Sequence, residues 1–223
     1  MPSSRDFLRQ VALFSDLEPT ALEVLTRGAA RRAYDANEVV FSEGATSEGL
    51  YIVEDGWLKG SKLAESGREQ VLRYFGAGEA VNEVSLFVET TNPATLTALE
   101  PSHVWLVPRQ AILVLAAEQP SFLWPLTQAL ARRLHYVVGL VEDLSLFPLE
   151  ARVAKFLLEH SEDAVLERRR WATQAELAAR LGTVPDVLHR VLRNLSEAGL
   201  IEVERQQILI LDPAGLEART RAG

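Results

Sequence analysis

Three rhythms of apolar and polar positions succeed one another along this chain. From Phe7 to Ala30 apolar residues recur at helical spacing, with Val11, Leu13, Phe14, Leu17, Leu22 and Leu25 on one side and a break at Leu17-Glu18-Pro19. From Ala33 the period shortens. Glu38–Ser42, Leu50–Glu54, Trp57–Leu63, Glu69–Tyr74, Ala94–Leu99 and His103–Val107 are short, β-branched or aromatic, and read as strands. Gly44, Gly49, Asp55-Gly56, Ser66-Gly67, Gly76 and Gly78 punctuate them, and Asp55-Gly56 predicts a hairpin. Strands so closely spaced predict an all-β sandwich, barrel or roll.

At Pro108 the helical rhythm returns. A short helix runs to about Glu118, and Pro120 opens a second that runs to about Leu146. In the second, Leu123, Thr127, Leu130, Leu134, Val137, Val141 and Leu144 are spaced 4, 3, 4, 3, 4, 3, and six of these seven are apolar. That is a heptad seam. Such a face either packs on the β domain or meets a second copy. A helix about 40 Å long outruns one small domain, which favours a parallel homodimer with Leu130, Leu134, Val137, Val141 and Leu144 at the interface.

Phe147-Pro148 ends that helix, because the residue before proline avoids the helical region. Leu149 to His160 is a further helix with Val153, Phe156 and Leu157 inward, and Ser161 to Arg170 is a polar, charged connection. Thr173 to Leu195 then reads as two short helices about a tight turn. Thr173 and Glu176 make a capping box, and Gly182 sits where the first helix must turn. The second helix places Val184, Val187, Leu188, Val191, Leu192 and Leu195 on its buried side. Asp186, His189, Arg190 and Arg193 fall on the opposite side. Pro185 lies in its first turn, where a missing N–H costs little. By itself this pattern fits either a major-groove reader or an ordinary surface helix. Ala198-Gly199 stops the second helix, and Ile201–Glu204 with Gln207–Leu211 form a hairpin around Arg205-Gln206, in the position of a wing.

Composition narrows the chemistry. No apolar run reaches the roughly 18 residues of a membrane span, and MPSSRDFLRQ lacks a signal-peptide pattern, so a cytoplasmic location is expected. There are no cysteines, which rules out disulfides, thiolate metal sites, iron–sulfur clusters and cysteine nucleophiles. The net charge of −8 weighs against a nucleic-acid partner, but it is unevenly spread. Residues 1–147 carry −7 and residues 148–223 only −1. From Arg168 to Arg205 there are seven arginines against five acidic residues, a local excess of two. No Ser/His/Asp spacing, metal cluster or phosphate loop suggests an enzyme. Gly76-x-Gly78 is too short for a dinucleotide fingerprint and reads as a turn.

Taken in order, VFSEGATSEGLYIVEDGWLK, SGREQVL, GAGEAVNEVSLF, ATLTALE, ALARRL, and TQAELAARLG with VLRNLSEAGLI resemble the CRP/FNR family of bacterial transcription regulators over nearly the whole chain. The resemblance implies an α+β chain. Its parts are a cyclic-nucleotide-binding-like β-roll sensor domain of jelly-roll type (1–118), a dimerisation helix (119–147) and a winged helix-turn-helix (148–223). It also implies a homodimer on a palindromic DNA operator, with RNA polymerase as a further partner in activators. The connection Ser161–Arg170 is short and glycine-free beside the loop some activators use for that contact.

The same resemblance speaks to the effector. In cyclic-AMP-responsive members a Gly-Glu pair opens a short phosphate-binding helix, and an Arg-Ser pair follows before an Ala. Here these positions read Asn82-Glu83 and Asn92-Pro93, and two purine-contacting hydroxyl residues of the long helix are Val137 and Val138. Losing the only cation of an anion site should cost about 2–5 kcal/mol. Cyclic AMP is therefore not expected, and a more apolar pocket around Asn82, Glu83, Asn92, Val137 and Val138 is. Glu83 could alternatively serve only to hydrogen-bond its own turn. Haem sensors need an axial ligand, commonly His. None of His103, His135, His160 and His189 lies at Ala80–Glu83; His103 reads as a surface residue, which leaves His135 on the long helix as the one haem-proximal or pH-sensitive candidate.

For DNA, Asp186 and Arg190 match the family's recognition-helix pair, an acid accepting from cytosine and an arginine binding guanine. Asp186 is equally placed to cap its helix from Thr183-x-x-Asp186. Pro185 replaces a first arginine, His189 replaces a small residue, and Arg193, Arg170 and Arg205 are phosphate candidates. The alternative to a DNA-binding regulator is a cyclic-nucleotide-type module with a protein–protein output, which would have no use for the Asp186/Arg190 face.

Overall fold

A computed structural model describes residues 4–88, 91–167 and 169–220. The chain divides into two compact units. One comprises the chain up to Lys62 with Leu72–Tyr136, and the other comprises Leu63–Val71 with the chain from Val137 onward.

In the first unit α1 (Ser4–Gln10) and α2 (Pro19–Gly28) flank the break foreseen at Leu17-Glu18-Pro19. Eight strands follow, of which β4 ends and β5 begins in the segment counted with the second unit: β1 (Ala30–Tyr34), β2 (Val39–Phe41), β3 (Gly49–Asp55), β4 (Leu58–Leu63), β5 (Glu69–Phe75), β6 (Ala80–Val81), β7 (Thr95–Ala98) and β8 (Ser102–Pro108). They form two four-stranded sheets, ordered β1-β8-β3-β6 and β2-β7-β4-β5. Tyr51, Val53, Leu58, Phe75, Val81, Leu96, Val104 and Leu106 fill one core. Alternate residues of β3 and β8 point the other way. Leu50, Ile52, Trp105 and Val107 pack against Leu8, Phe14, Leu22 and Leu25 of the N-terminal segment and against Ile112 and Leu115. Successive side chains of a strand leave on opposite faces. A strand buried on both faces therefore reads as the unbroken run Leu50-Tyr51-Ile52-Val53 rather than as alternation. Each such side chain, fully buried, is worth about 1.5–3 kcal/mol.

The expected Asp55-Gly56 hairpin is corrected. β3 and β4 lie in different sheets, so the turn carries the chain from one sheet to the other. Gly56 has φ +84, and a Cβ there would lie 2.2 Å from Ser102 Oγ, so the position takes only glycine without displacement. Two strands of this unit have no counterpart among those read from the sequence, the two-residue β6 and the whole of β1, whose first residue, Ala30, was read as the end of the helical segment.

After α3 (Val84–Phe87), α4 (Arg109–Glu118) and a 3-10 turn (Pro120–Phe122), the long helix α5 runs Leu123–Leu146. No helix of the described residues is long and apolar enough to cross a membrane.

The second unit holds α6 (Leu149–His160), β9 (Val165–Glu167), α7 (Gln174–Arg180), α8 (Pro185–Glu197), β10 (Ile201–Val203), β11 (Gln207–Ile210) and α9 (Pro213–Thr220). Val153, Leu157, Leu181, Leu188, Leu192, Leu195, Ile208 and Leu216 share its core. The three strands are ordered β10-β11-β9. β9 corrects the reading of Ser161–Arg170 as connection only: Leu166 pairs with Ile208, and Asp163 and Ala164 turn into the strand with φ 49 and 64. Three residues are too few to show a period. Arg168 lies outside the described residues.

Candidate nucleic-acid interface and effector pocket

The helix pair of the second unit is built by local chemistry. Thr173 caps α7, its hydroxyl accepting from Glu176 N–H at 3.2 Å. At the other end Thr183 N–H donates to Ala178 O at 2.9 Å across Gly182, whose φ is +68. This six-to-one bond is the Schellman closure that a left-handed glycine permits. A Cβ on Gly182 would meet Leu144 Cδ2 at 2.6 Å and Arg152 Nη1 at 3.1 Å.

α8 then starts at Pro185 with Val184 as its cap residue and no side-chain capping bond. Asp186 thus stands in the first turn, favourable beside the helix's positive end, without closing a box to Thr183. Leu188, Leu192 and Leu195 are buried, at i, i+4 and i+7. Val184 and Val187, expected on the buried side, are 45% and 38% exposed.

On the outer side, Asp186, His189, Arg190 and Arg193 are all exposed. They line one concave surface of about 320 Å³ with Pro185 and Gln174. Gln174, the first residue of α7, escaped the sequence reading. Its position directly after the cap at Thr173 was the available signal, since capped helix starts face the backbone in such motifs. Arg193 shares a loose pair with Glu197, 3.6 Å apart and both more than 60% exposed, which costs little to exchange for a phosphate. Arg170 and Arg205 are exposed but lie outside this concavity. Arg205 forms the wing turn, closed by Glu204 N–H to Gln207 O at 2.9 Å.

In the first unit a cavity of about 50 Å³ lies against Asn82 and Glu83. Phe41, Leu72, Phe75, Val81 and Leu96 make it largely apolar. Two expectations are corrected. Val137 and Val138 do not line it; they are 41% and 57% exposed, and Arg133, one turn earlier on α5, lines it instead. The pocket has therefore not lost its cation, because the long helix supplies one. Leu126 is buried and Leu130 partly buried on the same face, so Arg133 at i+7 and i+3 follows that stripe inward.

Asn82 and Asn92 are 8% and 2% exposed and bind each other. Asn82 Nδ2 donates to Asn92 Oδ1 at 3.1 Å, to Ser47 Oγ at 2.9 Å and to Gly49 O at 3.3 Å. Asn82 Oδ1 accepts from Ser85 Oγ at 2.8 Å, and Asn92 Nδ2 donates to Ser42 O at 3.2 Å. Asn82 adopts φ 79, a conformation asparagine tolerates. Asn92 is thus a strut behind the wall rather than a lining residue among those described. Burial pushes the Glu83 carboxyl above its ordinary range, against the pull of its own backbone and of Arg133 and Arg73. Burial and then Arg73 lower the Arg133 guanidinium, which remains a cation.

On α5, Leu134, Val137, Val138 and Val141 are 65%, 41%, 57% and 58% exposed, an apolar stripe facing out. The other two expected seam residues are partly engaged within the chain, Leu130 against the first unit's core and Leu144 beside Gly182. His135 is exposed on α5, and His103 pairs with Asp55 through Nδ1 at 2.9 Å.

Two family models match the chain: a cyclic nucleotide-binding domain over residues 31–119 and a Crp-like helix-turn-helix domain over residues 151–219. A CRP-like cAMP-activated global transcriptional regulator of Mycobacterium tuberculosis is 28% identical over 222 residues, covering 97% of this chain and 99% of that one. The cyclic AMP receptor protein of Thermus thermophilus is 29% identical over 205 residues, covering 92% and 94%. A transcriptional regulator of the crp/fnr family from Eubacterium rectale has the same fold, with a TM-score of 0.76 at 23% identity over 94% of this chain and 98% of that chain. With a nucleotide-type roll and a Crp-like reading head in the order of these full-length relatives, the chain belongs to the CRP/FNR family of transcription regulators.

Proposed function

We propose that this chain acts as a homodimer on a two-fold-symmetric operator and switches on an effector other than cyclic AMP. The observation that carries the reading is the exposed concavity that brings together Asp186, His189, Arg190 and Arg193 on α8. In this reading Arg190 takes a guanine, Asp186 or His189 reads an adjacent base, and Arg193, Arg170 and Arg205 hold phosphates. Residues 1–118 serve as sensor, 119–147 as dimerisation helix and 148–223 as DNA reader, in a protein working in the cytoplasm. The exposed stripe Leu134, Val137 and Val141 supports pairing of two α5 helices, with Leu130 and Leu144 at its margins.

The cyclic AMP named for the mycobacterial relative does not carry over to this chain. Asn92 offers no positive charge, Pro93 offers no N–H, and both Asn82 and Asn92 amides are committed to each other. Contact with RNA polymerase finds no support in Ser161–Arg170, part of which is taken up by β9. The test is selection from a random duplex DNA pool followed by native mass spectrometry. The expected product is an inverted repeat with half-sites about one helical turn apart, carrying two chains per duplex. An asymmetric site with one chain, or no enrichment, would overturn the reading.

A further inference from the structure

The roll cavity contains an unmet demand. Among the described residues, Arg133 Nη1 is buried and has no hydrogen-bond partner. Its guanidinium lies over the Phe75 ring, 5.2 Å from the centroid, so the ring holds the group in place without satisfying its N–H. The neighbouring cation, Arg73, is already paired with Glu79. Leaving a charged donor unpaired away from water is costly, and the cavity that Arg133 lines is where a partner would enter.

The rest of the cavity limits what that partner is. Its walls are mostly aliphatic and aromatic, with Glu83 and Thr95 as the other polar side chains beside Asn82 and Arg133, and the amides that could have gripped a large polar ligand, Asn82 and Asn92, are spent on one another. Its volume of about 50 Å³ equals about three to five water-sized positions. That room suits a few heavy atoms and not a nucleotide. We propose that this cavity takes a small monoanion with an apolar body, of short-chain carboxylate size, held by the Arg133 guanidinium. The proposal rests on the reading of the roll as the effector site and names the ligand class for it.

Glu83 couples this site to pH. Among the described residues, the charged groups bearing on it are Arg133 of α5, Arg73 of β5 and Glu79 in the turn before β6. An anion arriving at Arg133 removes part of the positive field that opposes the upward push of burial on the Glu83 carboxyl. Binding then takes up a proton, and affinity rises as pH falls.

Saturation-transfer NMR and calorimetry on the full chain test this with acetate, propionate and isobutyrate, against propionamide, chloride and cyclic AMP. Propionate or its neighbours should bind while propionamide does not. Arg133→Gln should weaken that binding at least about 30-fold, Arg133→Lys should retain part of it, and Glu83→Gln should flatten its pH dependence. Melting curves establish that each variant is folded. Equal binding of propionamide, no binding by any of the three carboxylates, or unchanged affinity in folded Arg133→Gln overturns the proposal. Cyclic AMP binding that ignores Arg133 but alters DNA affinity would sink both the anion site and the exclusion of cyclic AMP, and keep only the roll as the sensor. Arg133-dependent carboxylate binding with no change in DNA affinity would keep the site and sink the effector reading.

Discussion

Arg190→Ala separates reading from folding more cleanly than any other single change. Arg190 is exposed, while Leu188, two residues before it on α8, is completely buried. Truncating an exposed side chain typically moves stability by less than about 0.5 kcal/mol. For a chain of this size that is a shift of under about 2 °C in melting temperature. A bidentate arginine–guanine contact is worth about 1–3 kcal/mol. A dimer loses it twice, about 2–6 kcal/mol, and each 1.4 kcal/mol is a factor of about ten. Operator affinity should therefore fall by between about 30-fold and about 20,000-fold. Leu188→Ala is the contrast, since a buried leucine truncation costs about 2–5 kcal/mol and should lower the melting temperature by about 4–20 °C. Fluorescence anisotropy on a selected operator, at several salt concentrations, gives the affinities. If Arg190→Ala melts as wild type, stays dimeric and binds its operator within twofold of wild type, the assignment of Arg190 is wrong.

Three other outcomes are expected. In the proposed pairing of two α5 helices, Val141→Glu puts two carboxylates face to face, so light scattering should report a monomer, whereas Glu142→Ala should leave the dimer; a dimeric Val141→Glu variant would remove α5 from the interface. Asn82→Ala orphans Asn92 Oδ1 and Ser85 Oγ and places alanine at φ 79, so it should cost about 2–4 kcal/mol in urea unfolding, and Asn82→Gly less, by sparing the backbone strain. His160 keeps an exposed edge but stacks on Phe156, 4.2 Å between centroids, and the partial loss of solvent around its ring holds it below its ordinary value of 6.5. The folded state resists its protonation, so there is no penalty above pH 6.5 and a growing one as pH falls below it. The melting temperature of wild type should drop more between pH 7.5 and 5.5 than that of His160→Gln, and equal drops would discount the burial argument.

What could be read from the chain depended on how local the cause was. Thr173, Gly182 and Pro185 act on their own backbone, and the helix pair they define was legible to within a residue. The strands were legible as segments, but their partners were not. Asp55-Gly56 does turn the chain, yet β3 pairs with β8 and β6 while β4 pairs with β7 and β5. Pairing over some fifty residues leaves no mark in the turn itself. β9 went unseen because its three residues become a strand only through the edge that β11 offers.

The cavity shows the same division more sharply. Sequence alone determined that an apolar pocket near Asn82 and Glu83 lacks the family's arginine at Asn92, and that a helix bearing Val137 and Val138 follows. It could not determine how that helix is rotated. A rotation of one residue position, about 100° on a helix, decides which side chain enters the roll. Packing of Leu126 and Leu130 against the first core sets that angle, turns Arg133 inward and leaves Val137 and Val138 outside. Residue types and their spacing belong to the sequence. Whether the site contains a positive charge was decided by tertiary packing, because the side chains that set the helix's rotation touch residues up to about a hundred positions away.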